Sequence, residues 1–144
     1  MPIRGPGLAA IRGKSTLAFL KLSETGVNDA ALEHLKDLAN LTHLELRQTQ
    51  ISDDGLKLLG GLPNLEELNV EDDGLTDAGV AHLASLGKLR SLNLKLNTQI
   101  SDAALPALSK LATLRQLNVT QTGITEDGLR DLRTALPQCR IESL

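Results

Sequence analysis

The chain is nearly devoid of aromatic residues: one Phe, no Trp and no Tyr in 144 residues. A stacking platform for single-stranded nucleic acid needs several rings, so that class of function is excluded. The same lack removes most of the aromatic anchors that dominate tight protein interfaces. Only one cysteine is present, Cys139. No internal disulfide can form, and the expected compartment is a reducing one, the cytoplasm. Neither sign of charge dominates: 15 Lys and Arg stand against 18 Asp and Glu, a net charge of −3. A nucleic-acid partner is therefore not expected. No apolar run is long enough to span a membrane, and the opening MPIRGPG lacks the apolar stretch of a signal peptide. Membrane insertion is not expected, and a monomer is.

Motifs for chemistry are missing too. Gly13-Lys14-Ser15 ends like a phosphate-binding loop, but such a loop needs Gly five positions before Gly13, and Leu8 stands there. The acids Glu71, Asp72, Asp73 and Asp77 cluster near one turn, with Asp53 and Asp54 one unit away, yet they have no EF-hand spacing. No motif arranges Ser, His and Asp as a triad. His34 and His82 hold equivalent positions two units apart, too far to share a metal, and read as solvated helix residues. Cys139 reads as core filler. No catalytic residue, cofactor or metal is expected, and the chain is read as not an enzyme.

What the chain does have is repetition. Leu17, Leu41, Leu65, Leu89 and Leu114 open successive units at spacings of 24, 24, 24 and 25 residues. Each unit begins L-x-x-L-x-L, as in Leu41, Leu44 and Leu46; such short alternation suits a strand with one buried face. A single apolar residue follows the turn: Val27, Ile51, Leu75, Ile100 or Ile124. Then comes a helix start. Asn28, Ser52, Thr76, Ser101 and Thr125 are all good N-cap residues. Each precedes an acid (Asp29, Asp53, Asp77, Asp102, Glu126) that complements the helix dipole. Two residues on stands a small side chain: Ala31, Gly55, Gly79, Ala104 or Gly128. Gly inside a helix costs about 1 kcal/mol against Ala, so a steric demand is expected there, where the helix start crosses the neighbouring coil. Apolar residues three apart, Leu56, Leu59 and Leu62, then form one helical stripe.

One strand and one short helix cannot bury an apolar face alone; stacked copies bury a continuous core. The expected fold is α/β: a right-handed, curved solenoid with a parallel sheet on the concave side and short helices on the convex side. The segments LTHLEL, LEELNV, LRSLNL and LRQLNV, each followed by a variant of TxISDxGLxxLxxL, resemble leucine-rich repeats. More narrowly they resemble the bacterial 24-residue units related to the cysteine-containing and GALA subclasses. Here Thr49, Thr122 or Asp73 occupies the turn position where other subclasses carry Asn or Cys. The resemblance implies an adaptor or recognition domain.

The ends extend the pattern into a single domain over 1–144. Ile3, Gly7, Leu8 and Ile11 fall where Ile51, Gly55, Leu56 and Leu59 fall, so 1–16 reads as the helical half of an earlier repeat. Pro6 suits its first turn. A degenerate N-terminal cap and a repeat cut from a longer protein both fit. Five repeats occupy 17–135. Residues 136–144 read as a closing strand, of open register, with Cys139 and Ile141 facing inward and the chain ending there. In the fourth repeat one extra residue lies near Leu96–Gln99. Pro106 sits within its helix, where a shortened or shifted helix is expected.

Outward strand residues form columns across the sheet, since neighbouring strands lie about 4.8 Å apart. One column is Arg47, Glu71 and Lys95, of alternating sign. Another is Asn69, Asn93 and Asn118, a candidate amide ladder. A third pairs His43 with Glu67. The candidate binding face is His43, Glu45, Arg47, Glu67, Asn69, Glu71, Asn93 and Lys95. The competing reading is mutual satisfaction, because exposed cross-strand pairs contribute under about 1 kcal/mol. The function expected is non-enzymatic binding of a protein or peptide on the concave sheet. The alternative is a structural or recognition fragment of a larger multi-domain receptor, adaptor or enzyme, with no autonomous partner.

Overall fold

A computed structural model describes residues 8–144. Its strands are β1 (Phe19–Lys21), β2 (His43–Glu45), β3 (Glu67–Asn69), β4 (Ser91–Asn93), β5 (Gln116–Asn118) and β6 (Arg140–Glu142). The helices are α1 (Asp29–Leu32), α2 (Asp53–Leu59), α3 (Asp77–His82), α4 (Leu105–Ser109) and α5 (Glu126–Ala135), several of them continued or preceded by a 3-10 turn. The strands form one open parallel sheet in chain order, β1 to β6. Strand, turn, helix and return therefore repeat as a solenoid. No helix among the described residues is long and apolar enough to cross a membrane.

Register follows the repeat. Leu20, Leu44, Leu68, Leu92, Leu117 and Ile141 stand side by side, pointing into the core. The last pairing settles the closing strand: Ile141 lies beside Leu117, and Cys139 packs against the core half-buried. The helical stripe meets the strand leucines in one continuous core. Each fully buried leucine contributes roughly 1.5–3 kcal/mol of transfer free energy. At the other end Leu8 is buried, a 3-10 turn spans Ala9–Ile11, and Ile11 packs on the core. The positions assigned above to Ile3, Pro6 and Gly7 lie outside the described residues.

Two devices lock repeat to repeat. The first lies at the helix starts. Each N-cap side chain accepts a backbone N–H of its own helix, as Thr125 does from Gly128 at 3.1 Å. The preceding repeat's acid then grips the cap residue twice. Asp53 accepts the Thr76 N–H at 2.9 Å and its hydroxyl at 2.6 Å. Asp77 does the same for Ser101 at 2.6 Å and 2.6 Å, Asp102 for Thr125 at 2.9 Å and 2.6 Å, and Asp29 for Ser52. The Thr125 hydroxyl and N–H hold the Asp102 carboxyl below the usual carboxylate range. These acids thus do more than complement a dipole: they bond the stack together.

The second device lies after each strand. Glu24, Gln48, Asp72, Leu96 and Gln121 all take left-handed backbone, φ 54–65°. That conformation swings the chain off the strand while its N–H still bonds the next repeat: Gln48 to the Glu71 carbonyl at 3.0 Å, Asp72 to Lys95 at 2.9 Å. The next residue fills the turn: Thr25, Thr49, Asp73, Asn97 or Thr122. Asn97 is fully buried. Its Oδ1 accepts from the Asp73 and Leu75 N–H groups at 3.2 and 3.0 Å, and its Nδ2 donates to the Val70 and Leu94 carbonyls, both at 2.9 Å.

The fourth repeat absorbs its irregularities locally. A 3-10 turn over Asp102–Ala104 precedes α4, so Pro106 falls in that helix's first turn, where no backbone donor is needed. The helix start is shifted, as expected.

Candidate functional site

The open face of the sheet carries the outward side chains of β1 to β6, because leucines fill the other face. Three shallow depressions lie along it. One, of about 200 Å³, is lined by Phe19, His43, Glu45, Glu67, Asn69, Ser91 and Asn93. A second, of about 520 Å³, is lined by Lys21, Ser23, Glu24, Glu45, Arg47, Asn69 and Glu71. A third, of about 180 Å³, lies between Ser91, Asn93, Gln116, Asn118 and Glu142. All eight residues of the candidate face except Lys95 line the first two.

Phe19 is 55% exposed. Its ring stacks on His43 with centroids 5.6 Å apart and planes 29° apart. Register places the two side by side on β1 and β2. His43 in turn faces Glu67, Nε2 to Oε1 3.3 Å, so that column is as expected. Its Nδ1 lies 2.7 Å from the Thr42 hydroxyl, which fixes the ring plane. Lys21 pairs with Glu45 at 3.4 Å.

The other two columns are built differently from the expectation. Arg47 pairs with Glu24, not with Glu71. Glu71 instead faces Lys95 at 3.7 Å and accepts from Asn93 Nδ2 at 3.0 Å. It is the most enclosed carboxylate of the face's ion pairs, with a side chain 15% exposed. The asparagines form no amide ladder. Asn69, Asn93 and Asn118 each accept the backbone N–H two residues on, at 3.1, 3.0 and 2.9 Å. The amides of Asn93 and Asn118 are spent on carboxylates, Glu71 at 3.0 Å and Glu142 at 3.1 Å. An Asn can bond its own backbone locally, and that bond competes with a ladder.

Beside the face, Asp73 shares the turn column with Asn97. It accepts the Thr49 N–H at 2.7 Å and hydroxyl at 3.2 Å, but Oδ2 is enclosed without a partner. Burial pushes its carboxyl up to about 7, against the two Thr49 hydrogen bonds. Away from the face, His34 and His82 are half-buried rather than solvated, and His34 Nδ1 is enclosed without a partner. Among the described residues no group of three His, Cys, Asp or Glu is placed to hold a metal ion.

The leucine ladder, the caps and the turn column recur from repeat to repeat. A model described as "Leucine Rich repeat" matches residues 37–60 and 88–109. The chain is built of leucine-rich repeats. The matching model names no subclass. Among solved structures, these repeats superpose on an internalin, InlF, from Listeria monocytogenes with a TM-score of 0.77 and 26% identity, over 94% of this chain. They superpose on internalin C2 from the same bacterium with a TM-score of 0.70 and 28% identity, over 92%. The chain spans 37% and 55% of the length of those two structures. A search of curated protein sequences finds no match.

Proposed function

We propose that this leucine-rich-repeat chain is a non-enzymatic recognition module that binds a protein or peptide segment on the open sheet face. The carrying observation is Phe19. The chain's one aromatic side chain lies 55% exposed on that face, stacked on His43 at the edge of a polar depression. A held ring in a polar surround is what an interface uses as an anchor. Around it His43, Glu45, Arg47, Glu67, Asn69, Glu71, Asn93 and Lys95 supply hydrogen bonds and charge of both signs. Many of these groups already satisfy one another, so the face is rigid and ordered before a partner arrives. Stacked repeats present such extended surfaces, and leucine-rich repeats commonly serve in protein interaction. Affinity from one ring and exchanged polar contacts is modest, about micromolar.

The length of the two internalin structures favours a second reading, in which the chain is a recognition segment of a larger receptor, adaptor or enzyme. The test is selection of peptides from a random display library, followed by calorimetry with Phe19→Ala. The face assignment requires at least about tenfold weaker binding in the variant. Selected peptides that bind Phe19→Ala as well as the parent would overturn it.

A further inference from the structure

Lys88, Arg90 and Arg115 gather where the chain enters β4 and β5. With Glu66, Gly87 and Thr113 they line a cleft of about 280 Å³, apart from the sheet face. Arg90 and Arg115 sit on adjacent passes of the chain, since the Arg115 N–H donates to the Arg90 carbonyl at 2.8 Å. Like charges on adjacent passes repel. Nothing acidic offsets them: among the described residues none of the three cations forms an ion pair, whereas Lys21, Arg47 and Lys95 on the sheet face all do. Only the Glu66 carboxylate borders the cleft.

Two of the cations are held in place. The Arg115 guanidinium donates through Nη1 to the Leu114 and Ala112 carbonyls at 2.9 and 3.3 Å, leaving its other N–H groups available. Lys88 Nζ donates to Asn64 Oδ1 at 2.6 Å. Gly87 leaves open space beside them.

We propose that this cleft is a second binding site, for an acidic segment of a polypeptide partner. Three cations against one carboxylate suit carboxylates spaced along a chain. Arg90 and Arg115 stand about 4.8 Å apart at their backbones and can each take one. A compact phosphate would instead need convergent donors, and Glu66 at the rim opposes a concentrated dianion. The chain's net charge of −3 opposes a nucleic-acid backbone.

The probe is a fluorescent peptide of alternating Glu and Ser, read by anisotropy at low salt, with its Gln counterpart as control. The Glu peptide should bind and the Gln peptide should not. Arg90→Glu with Arg115→Glu should weaken binding at least about tenfold and flatten its salt dependence. Glu66→Gln should strengthen it. Lys57→Glu, the same kind of charge change on α2, and Phe19→Ala on the sheet face should leave it unchanged. Because Phe19→Ala reports on the sheet face alone, the two sites fail separately. The milder Arg115→Gln replaces the double variant if circular dichroism shows the latter unfolded. Absent Glu-peptide binding, equal loss with Lys57→Glu, or tighter binding of inorganic phosphate or oligo-dT than of the peptide would each overturn the proposal.

Discussion

Asp53 Oδ1 occupies the space in which a side chain on Gly79 would begin. A Cβ built on Gly79 lies 2.3 Å from that oxygen and 3.0 Å from Leu56 Cδ1. Gly55 meets Asp29, and Gly128 meets Asp102, at the same 2.3 Å. The small residue of the repeat is therefore the partner of the acid one repeat earlier. At Gly55, Gly79 and Gly128 glycine gives the acid room to reach the next cap; in the fourth repeat, where the helix opens with a 3-10 turn, Asp77 reaches Ser101 past Ala104.

Replacing Gly79 should destabilise the stack at that joint. Gly79→Leu is expected to cost more than about 2 kcal/mol, by displacing the Asp53 carboxylate from Thr76 and crowding Leu56. Gly79→Ala should already cost part of this. Gly87→Ala is the control, because a Cβ there meets nothing within 4 Å, and should change stability by less than about 0.5 kcal/mol. Urea midpoints of the three variants check the ordering.

Asn97 carries four close bonds from a fully buried position. Asn97→Ala should cost on the order of 3 kcal/mol, because the Asp73 and Leu75 N–H groups and the Val70 carbonyl lose their partner, while the Leu94 carbonyl keeps the backbone N–H of residue 97. Asn97→Asp should also destabilise at neutral pH, since an ionised carboxylate cannot donate to the Val70 and Leu94 carbonyls. Thermal melts of both variants give the comparison.

Asp73 makes the opposite case. Its carboxyl titrates near 7 in the fold against 3.8 as an ordinary side chain. The folded state holds the proton more tightly, so its contribution is complete below about pH 4. It declines as pH rises and is gone above about pH 7, with a slope of at most about 1.4 kcal/mol per unit. Asp73→Asn should abolish this decline. At pH 8 the variant should melt higher than the parent; near pH 3.5 the two should coincide more closely. Equal melting curves at pH 8 would show that Asp73 is not strained by ionisation.

On the sheet face, Arg47→Ala and Glu71→Ala should act independently, because Arg47 bonds Glu24 and Glu71 bonds Lys95 and Asn93. Arg47 is exposed and its loss should change stability by less than about 0.5 kcal/mol. Glu71 is more enclosed and should cost more. Both should weaken binding of a peptide selected on this face, while Glu33→Ala on the helix side should not. Additivity is checked by a double-mutant cycle.

Periodicity made the fold legible. Leu41, Leu44 and Leu46 announce a strand, Ser52 a helix start, and the 24-residue recurrence stacks them. The site was legible only as an outward set of positions. Arg47 turns to Glu24, a residue in the turn after the preceding strand, outside the column that strand alternation defines. That Asn118 bonds its own backbone depends on a local competition no column count includes. Asn97 was hidden by the extra residue beside it, which blurred the alignment with Asp73. Phe19 carried its own signal, the chain's one aromatic ring at an outward position, but its stacking on His43 needed the register.

The grip of each acid on the following cap gives the stack a direction. Asp29 serves Ser52, Asp53 serves Thr76, Asp77 serves Ser101 and Asp102 serves Thr125; none reaches backward. A ribosome makes the chain in that same order. When each Ser or Thr emerges, the carboxylate that will hold it has already been synthesised, on a turn whose own cap is in place. At the helix starts, growth from the N-terminus therefore meets a carboxylate already made, whereas in the turn column Asp73 and Asn97 reach back to complete the repeat before them.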